Sequence, residues 1–338
     1  MDLSLTDEQT HLVAALADLY GTHASPARVR AAEPGGFDKV LWDHLVALGI
    51  VGMAVDDPEG GEAEHRASEV DLALVAEQQG RAVAPAPVIE AQVAARVLAR
   101  TGSDALGAVV AGDRLVTVAL HPADGGHARV VPAAAVADEA IVLDSDRLLL
   151  VPLDGVRTTF ENLGALPLAD IAVTGASTVL ATGDEARRVH EDALDDWLRL
   201  TAAALVGIGA RALELGTAYV KDRTAWGVPI GSFQSVAHAL ADAATAIDGA
   251  RLLAWEAAWA HDNGDPRAAE LAALAFAFAT EASRDACYKA LHFHGGYGFT
   301  LEYDVQLYWR RARAWAAVWG EPAQAYRRAA DRRYGAVA

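Results

Sequence analysis

The chain has 338 residues, with 28 Lys and Arg against 46 Asp and Glu, giving a formal net charge of −18. That surplus of acid would repel nucleic-acid phosphates, and no run of about 18 uncharged apolar residues marks a membrane span. The single cysteine, Cys287, rules out an internal disulfide and a thiolate metal cluster. Cys287 falls in a helical pattern and reads as a small buried apolar residue. The start, MDLSLTDEQT, is acidic and polar rather than basic and then apolar, so no secretory signal is read and a cytoplasmic location is expected.

The first third reads as helices. Thr6 and Gln9 have the spacing of a capping box ahead of the apolar positions Leu12, Val13, Leu16, Leu19 and Tyr20. A second helix is predicted over 38–48, with Val40, Leu41, Leu45 and Leu48 on one side and Gly49 at its end. GMAVDDPEGGEAEH (52–65) reads as a loop, and helices resume over 67–82 and 87–101. Between 114 and 182 the texture changes to short runs such as RLVTVAL, EAIVLD and RLLLVPL, separated by Gly, Pro and Asp. This is the pattern of a small all-β unit with tight connections.

From 184 onward the helical period returns and lengthens. Leu205, Ile208, Ala212, Leu215 and Tyr219 mark one helix, and Phe233, Val236, Leu240, Ala243 and Ile247 the next. Further helices follow over 266–293, 304–318 and 322–334, the last opening on Pro322. The fold class is α+β, mainly α. The expected domains are an N-terminal helical domain (1–112), a small central β-barrel or β-sandwich domain (113–183) and a C-terminal bundle of long helices (184–338).

LHFHGGYGFTLEY (291–303) is the first candidate for chemistry. His292 and His294 are two apart and point in different directions on a helix, with no carboxylate at ligand spacing, so no metal is expected. An oxyanion loop would need a G-x-S-x-G nucleophile turn, which the chain lacks. A cofactor cradle and a plain tight turn remain; the cradle is open because glycines at a helix junction let backbone approach a ligand and a following helix offers free N–H groups. DRTAWGVPIGSFQSVAHALAD (222–242) supplies a partner for it. Arg223, Trp226 and Gln234 place a cation, an aromatic face and an amide around one helical turn, which suits a pyrophosphate and an adenine ring.

RTAWGVPIGSFQ with HALAD, followed by HFHGGYGFTLEY and LYWRRARA, resembles the paired signature of acyl-CoA dehydrogenases. In that flavoprotein family the first motif runs R-x-x-[FW]-G-x-x-[IL]-x-x-x-Q and the second Q-x-x-G-G-x-G-[FY]-x-x-E-[YH], before an R-D-A-like triplet. LWDHLVALGIVGMAVDDPEGG and EQQGRAVAPAP near the start resemble the family as well. The resemblance implies that family's fold, with a C-terminal four-helix bundle, and FAD as cofactor. It implies an oligomer in which the flavin's adenosine end reaches a neighbouring subunit. Arg223, Thr224, Trp226 and Gln234 would then contact the pyrophosphate and adenosine, and His292, Gly295 and Gly296 would pack on the cofactor. His292 stands where the family usually has glutamine.

The implied reaction is α,β-desaturation of an acyl-CoA thioester, with electron-transfer flavoprotein as acceptor. It needs a carboxylate base, and here the sequence departs from the family. One family position falls on Trp319, with Glu321 two residues on; the other falls on Trp197, beside Asp196. Glu321 and Asp196 are therefore the candidate bases, each requiring a local shift. The β domain looks shortened and lacks the family's flavin-ring strands. Intact adenosine-side motifs without a placed base suggest the partner subunit of a heteromeric acyl-CoA dehydrogenase, of the kind that acts on steroid side chains. A self-sufficient homo-oligomer with a displaced base and a flavin-free binding protein on the same fold are the alternatives.

Overall fold

The computed structural model describes residues 4–55 and 67–335. Most of the expected 52–65 loop lies outside the described residues, apart from a 3-10 turn at Gly52–Ala54. Helix α1 (Asp7–His23) starts as its sequence requires: the Thr6 hydroxyl accepts the Gln9 N–H at 3.1 Å, and Gln9 Oε1 accepts the Thr6 N–H at 3.1 Å. α3 (Lys39–Ala47), α4 (Glu69–Arg81) and α5 (Val88–Arg100) lie where the periodicity put them. α2 (Pro26–Ala32) and α6 (Leu106–Val110) were not foreseen. Each buries a single apolar side chain, Val29 or Val109, and so shows no stripe to read.

Seven strands follow: β1 (Val116–Val118), β2 (His127–Val131), β3 (Glu139–Asp144), β4 (Arg147–Pro152), β5 (Arg157–Thr159), β6 (Ala169–Ala172) and β7 (Thr178–Thr182). They form a four-stranded sheet in the order β1-β3-β4-β7 and a three-stranded sheet in the order β2-β6-β5. β3 and β4 are a tight antiparallel hairpin running from Glu139↔Pro152 to Asp144↔Arg147, with Ser145 at φ 59° in the turn. The barrel alternative is corrected here. Both sheets are open among the described residues, because β1 and β7 remain edges of the larger sheet and do not pair to close it.

The rest is helical: α7 (Gly183–Asp222), α8 (Gln234–Asp262), α9 (Ala268–Phe293), α10 (Val305–Ala317) and α11 (Pro322–Tyr334). A two-stranded ribbon, β8 (Thr224–Ala225) with β9 (Val228–Pro229), joins α7 to α8. No described helix is long and apolar enough to cross a membrane.

By internal packing the chain divides into two compact units. One holds Met1–Ala27, Glu69–Ala84 and Leu198–Ala338; the other holds Arg28–Ser68 and Pro85–Trp197. In the first, small residues let helices approach closely. A Cβ on Gly216 of α7 would lie 3.0 Å from the Ala290 Cα of α9, and α9 buries Ala272, Ala273, Ala275, Ala277 and Ala279. The first unit also contains a buried ion pair: Arg199 Nη2 lies 2.8 Å from Glu69 Oε2, both side chains 1% exposed. Glu69's N–H, at the start of α4, donates to the Asp262 carboxylate at 2.9 Å. The second unit builds its core from β1, β3 and β4 with α5, where Val116, Ile141, Leu148 and Val93 are fully or almost fully buried.

Candidate functional site

The ribbon after α7 organises the first motif. Thr224 pairs with Pro229 and Ala225 with Val228, leaving Trp226 and Gly227 as a two-residue turn, with φ of 51° and 81°. Positive φ at both positions is the geometry of a type I′ turn, which normally takes Asn-Gly or Gly-Gly. A bulky side chain there is an outlier in conformation. Trp226 does not repay that strain by burial: it is 90% exposed and touches Phe233 edge-on at 5.7 Å. The Arg223 carbonyl accepts the Ile230 N–H at 2.8 Å, which closes the ribbon. Arg223, Thr224 and Gln234 are all exposed, and Arg223 forms no ion pair among the described residues.

The second motif ends α9. His294 is buried, stacks on Tyr219 of α7 at a ring distance of 4.0 Å, and donates from Nδ1 to the Ala290 carbonyl at 2.7 Å. Burial lowers its pKa, against the opposing effect of that hydrogen bond. His294 is thus a packing residue. His292 points outward and stacks on Tyr288 at 5.8 Å. Gly295 has φ +61°, a left-handed conformation that favours glycine, and a Cβ on either Gly295 or Gly296 would meet open space. Gly298 is held by packing instead, since a Cβ there would lie 2.6 Å from the Leu291 carbonyl oxygen. The two motifs are linked through Tyr219: its ring carries His294 and its carbonyl accepts the Arg223 N–H at 2.8 Å.

The two carboxylates proposed as bases are both committed elsewhere. Glu321 is the N-cap of α11, its N–H donating to Gln324 Oε1 at 2.8 Å. Arg284 donates to both of its oxygens, and that guanidinium holds the carboxyl below the usual range. Asp196 is 2% exposed and lies 3.4 Å from the guanidinium of Arg96, which itself donates to the Ala54 carbonyl. Trp197, at the family's upstream base position, is 3% exposed and donates its indole N–H to Glu90 Oε1 at 3.4 Å.

Glu90 was not singled out in the sequence. It is the third residue of α5 and only partly buried, yet enough protein surrounds it for burial to push its carboxyl up, outweighing its own N–H and the indole. The legible signal was a lone acid in the apolar run PVIEAQVAA. A different cluster, Glu69, His261 and Asp262, brings three ligand-type atoms within 4.8 Å. Arg199 already occupies the Glu69 carboxylate and the Glu69 N–H occupies Asp262, so its charge is satisfied without an ion.

Comparison with known proteins bears on these motifs. Family models described as the acyl-CoA dehydrogenase N-terminal and C-terminal domains match residues 6–108 and 193–329. The chain is 31% identical over 328 residues to acyl-CoA dehydrogenase IpdE2 of Mycolicibacterium smegmatis, covering 96% of this chain and 98% of that one. The chain belongs to the acyl-CoA dehydrogenase family.

Among solved structures of acyl-CoA dehydrogenases, the Tcur3481-Tcur3483 steroid enzyme (G363A variant) superposes with a TM-score of 0.85 at 28% identity, covering 96% of this chain and 97% of that one. The ChsE4-ChsE5 complex from Mycobacterium tuberculosis gives 0.86 at 24% identity with full coverage of both chains, a likeness of fold. The donor set of this family member fits the family's flavin. An exposed arginine without a carboxylate partner among the described residues, a hydroxyl and an amide suit a pyrophosphate, and an indole held clear of the core offers a face to adenine.

Proposed function

We propose that the chain is a subunit of an FAD-dependent acyl-CoA dehydrogenase that desaturates an acyl-CoA thioester at its α and β carbons, in an oligomer with another subunit of the same family. The observation that carries this reading is Trp226, 90% exposed on a positive-φ turn beside Arg223. Such a residue costs conformational energy and hides no apolar surface within the described chain, so its use lies in a ligand or a neighbour. Arg223 and Thr224 would hold the pyrophosphate, Trp226 and Gln234 the adenosine, and His292 with the Gly295–Gly296 backbone the second side. When bound, FAD supplies the acceptor for the β-hydrogen, as hydride, and electron-transfer flavoprotein would take the electrons onward.

A heteromer is favoured because Glu321 and Asp196 are tied to Arg284 and Arg96, leaving both motif-based base positions without a usable carboxylate. The Tcur3481-Tcur3483 steroid enzyme, named for two proteins together, supports such an assembly and a bulky acyl group. The test is to purify the chain alone and co-expressed with candidate sister subunits, then add acyl-CoA without oxygen. A co-purified, flavin-containing pair whose flavin is bleached by acyl-CoA is expected. A chain that carries flavin alone and is bleached alone removes the need for a partner. A pair that binds no flavin removes the dehydrogenase reading.

A further inference from the structure

α7 and α9 each lead into one of the two cofactor motifs, and they touch just before doing so. A Cβ on Gly216 of α7 would lie 2.9 Å from the Ala290 Cβ of α9. Tyr219 follows Gly216 by three residues, and His294 follows Ala290 by four, bonded back to the Ala290 carbonyl at 2.7 Å. Their rings stack 4.0 Å apart at 23°, and Tyr303 meets both edge-on, at 5.7 and 5.3 Å. The second motif's Gly295 is the next residue after His294. The first motif is fastened to the other ring's backbone, because the Arg223 N–H donates to the Tyr219 carbonyl at 2.8 Å. Gly231, where the chain returns from the ribbon, closes on the same turn of α7: a Cβ there would lie 3.1 Å from the Val220 carbonyl oxygen.

We infer that Tyr219 and His294 are positioning residues for the flavin. Arg223, Thr224, Trp226, Gln234 and His292 are exposed or half-exposed, so their own packing does not set how far one motif stands from the other. The backbone beneath them does, and the ring stack is the packed contact between the two stretches of backbone. It holds the Arg223–Trp226 turn and the Gly295–Gly296 backbone at one separation, so that a single chain offers both to the same adenosine arm. A ligand that engages both motifs gains only if that separation is fixed before it arrives, since otherwise binding must also order them. The inference rests on the FAD reading above and adds to it two residues that need not touch the cofactor.

The test follows FAD release from the intact flavin-containing assembly on dilution, by the rise in flavin fluorescence. Tyr219→Leu removes one ring of the stack and is expected to weaken flavin retention about tenfold. Tyr219→Phe keeps the ring and is expected to retain flavin as wild type does. His294→Leu removes the other ring and should loosen flavin as Tyr219→Leu does; if one of the two fails to fold, the other decides. A residue acting through both motifs also leaves a signature that a merely structural one does not. In the Tyr219→Leu background, Arg223→Ala and His292→Ala should each cost less flavin affinity than they do in wild type. A folded Tyr219→Leu or His294→Leu assembly that holds flavin like wild type overturns the inference. So do a Tyr219→Phe variant as weak as Tyr219→Leu and strictly additive losses in the double variants. Those three results leave the FAD reading intact, whereas a wild-type assembly that contains no flavin overturns that reading itself.

Discussion

Gly80 of α4 and Ala204 of α7 meet backbone to backbone: a Cβ on Gly80 would lie 1.9 Å from the Ala204 carbonyl oxygen. One turn along the same seam, a Cβ on Gly207 would lie 2.0 Å from the Glu77 carbonyl oxygen. Neither obstacle is the flexible end of a side chain, so any larger residue forces the helices apart. Overpacking of this kind costs about 1–3 kcal/mol and sometimes more. Gly80→Ala and Gly207→Ala should each lower the melting temperature by several degrees in scanning calorimetry. The double variant should fall short of the sum, because either change opens the same seam. Wild-type melting in both single variants would mean that the contact is not rigid.

The Arg199–Glu69 pair makes a different stability prediction, because both groups are 1% exposed. Removing one partner strands a buried charge and should cost about 3–5 kcal/mol, whereas replacing both by apolar residues is often near neutral. Arg199→Met alone should therefore unfold at markedly lower urea concentration than wild type. Arg199→Met combined with Glu69→Leu should recover most of the loss. A double variant no better than the single would show that the pair is needed for more than its own charge balance.

Asp38 sets part of the acid limit. It caps α3, accepting the Leu41 N–H at 3.1 Å, and receives Arg28 at 2.9 Å. Burial pushes its carboxyl up, but the backbone N–H and the guanidinium outweigh this and the net shift is downward. A depressed folded pKa adds stability above the unfolded value, about 3.9 for an aspartate, and loses it as pH falls through the folded value. Asp38→Asn keeps a capping oxygen and should flatten the fall in unfolding free energy below about pH 4. An acid limb identical to wild type, measured by urea unfolding across pH, would contradict this.

Glu321 is predicted to matter for stability and not for chemistry. It is tied to Arg284 and to the first turn of α11. Glu321→Gln should lower the melting temperature slightly and leave acyl-CoA turnover by the flavin-containing assembly near wild type. A fall in kcat of about 100-fold or more would restore Glu321 as a base.

The architecture was legible wherever a local rule sufficed. Thr6 and Gln9 announced α1 through spacing alone, and the long period of Leu205 to Tyr219 announced α7. Trp226, Gly295 and Gly296 were singled out by their chemistry and then by motif resemblance, but the positive φ at Trp226 was not readable, since nothing local favours tryptophan in a type I′ turn. β7, with three of its five residues exposed, offered no buried apolar run to read. Glu90 was missed for a topological reason. In the sequence it is one acid at the start of a helix, and its side-chain partner among the described residues, Trp197, lies 107 residues away. Asp196 looked more like a base because it neighbours the expected position, yet in the fold that closeness puts it against Arg96.

The central claim, that this chain offers Arg223 and Trp226 to a flavin in a two-subunit assembly, is tested most directly by the flavin-to-protein ratio of the purified pair. Trp226→Ala removes an exposed ring and should leave stability within about 0.5 kcal/mol of wild type. It should also weaken flavin retention about tenfold or more, with Arg223→Ala behaving alike. A folded pair that keeps its full flavin content with both residues replaced would contradict the account.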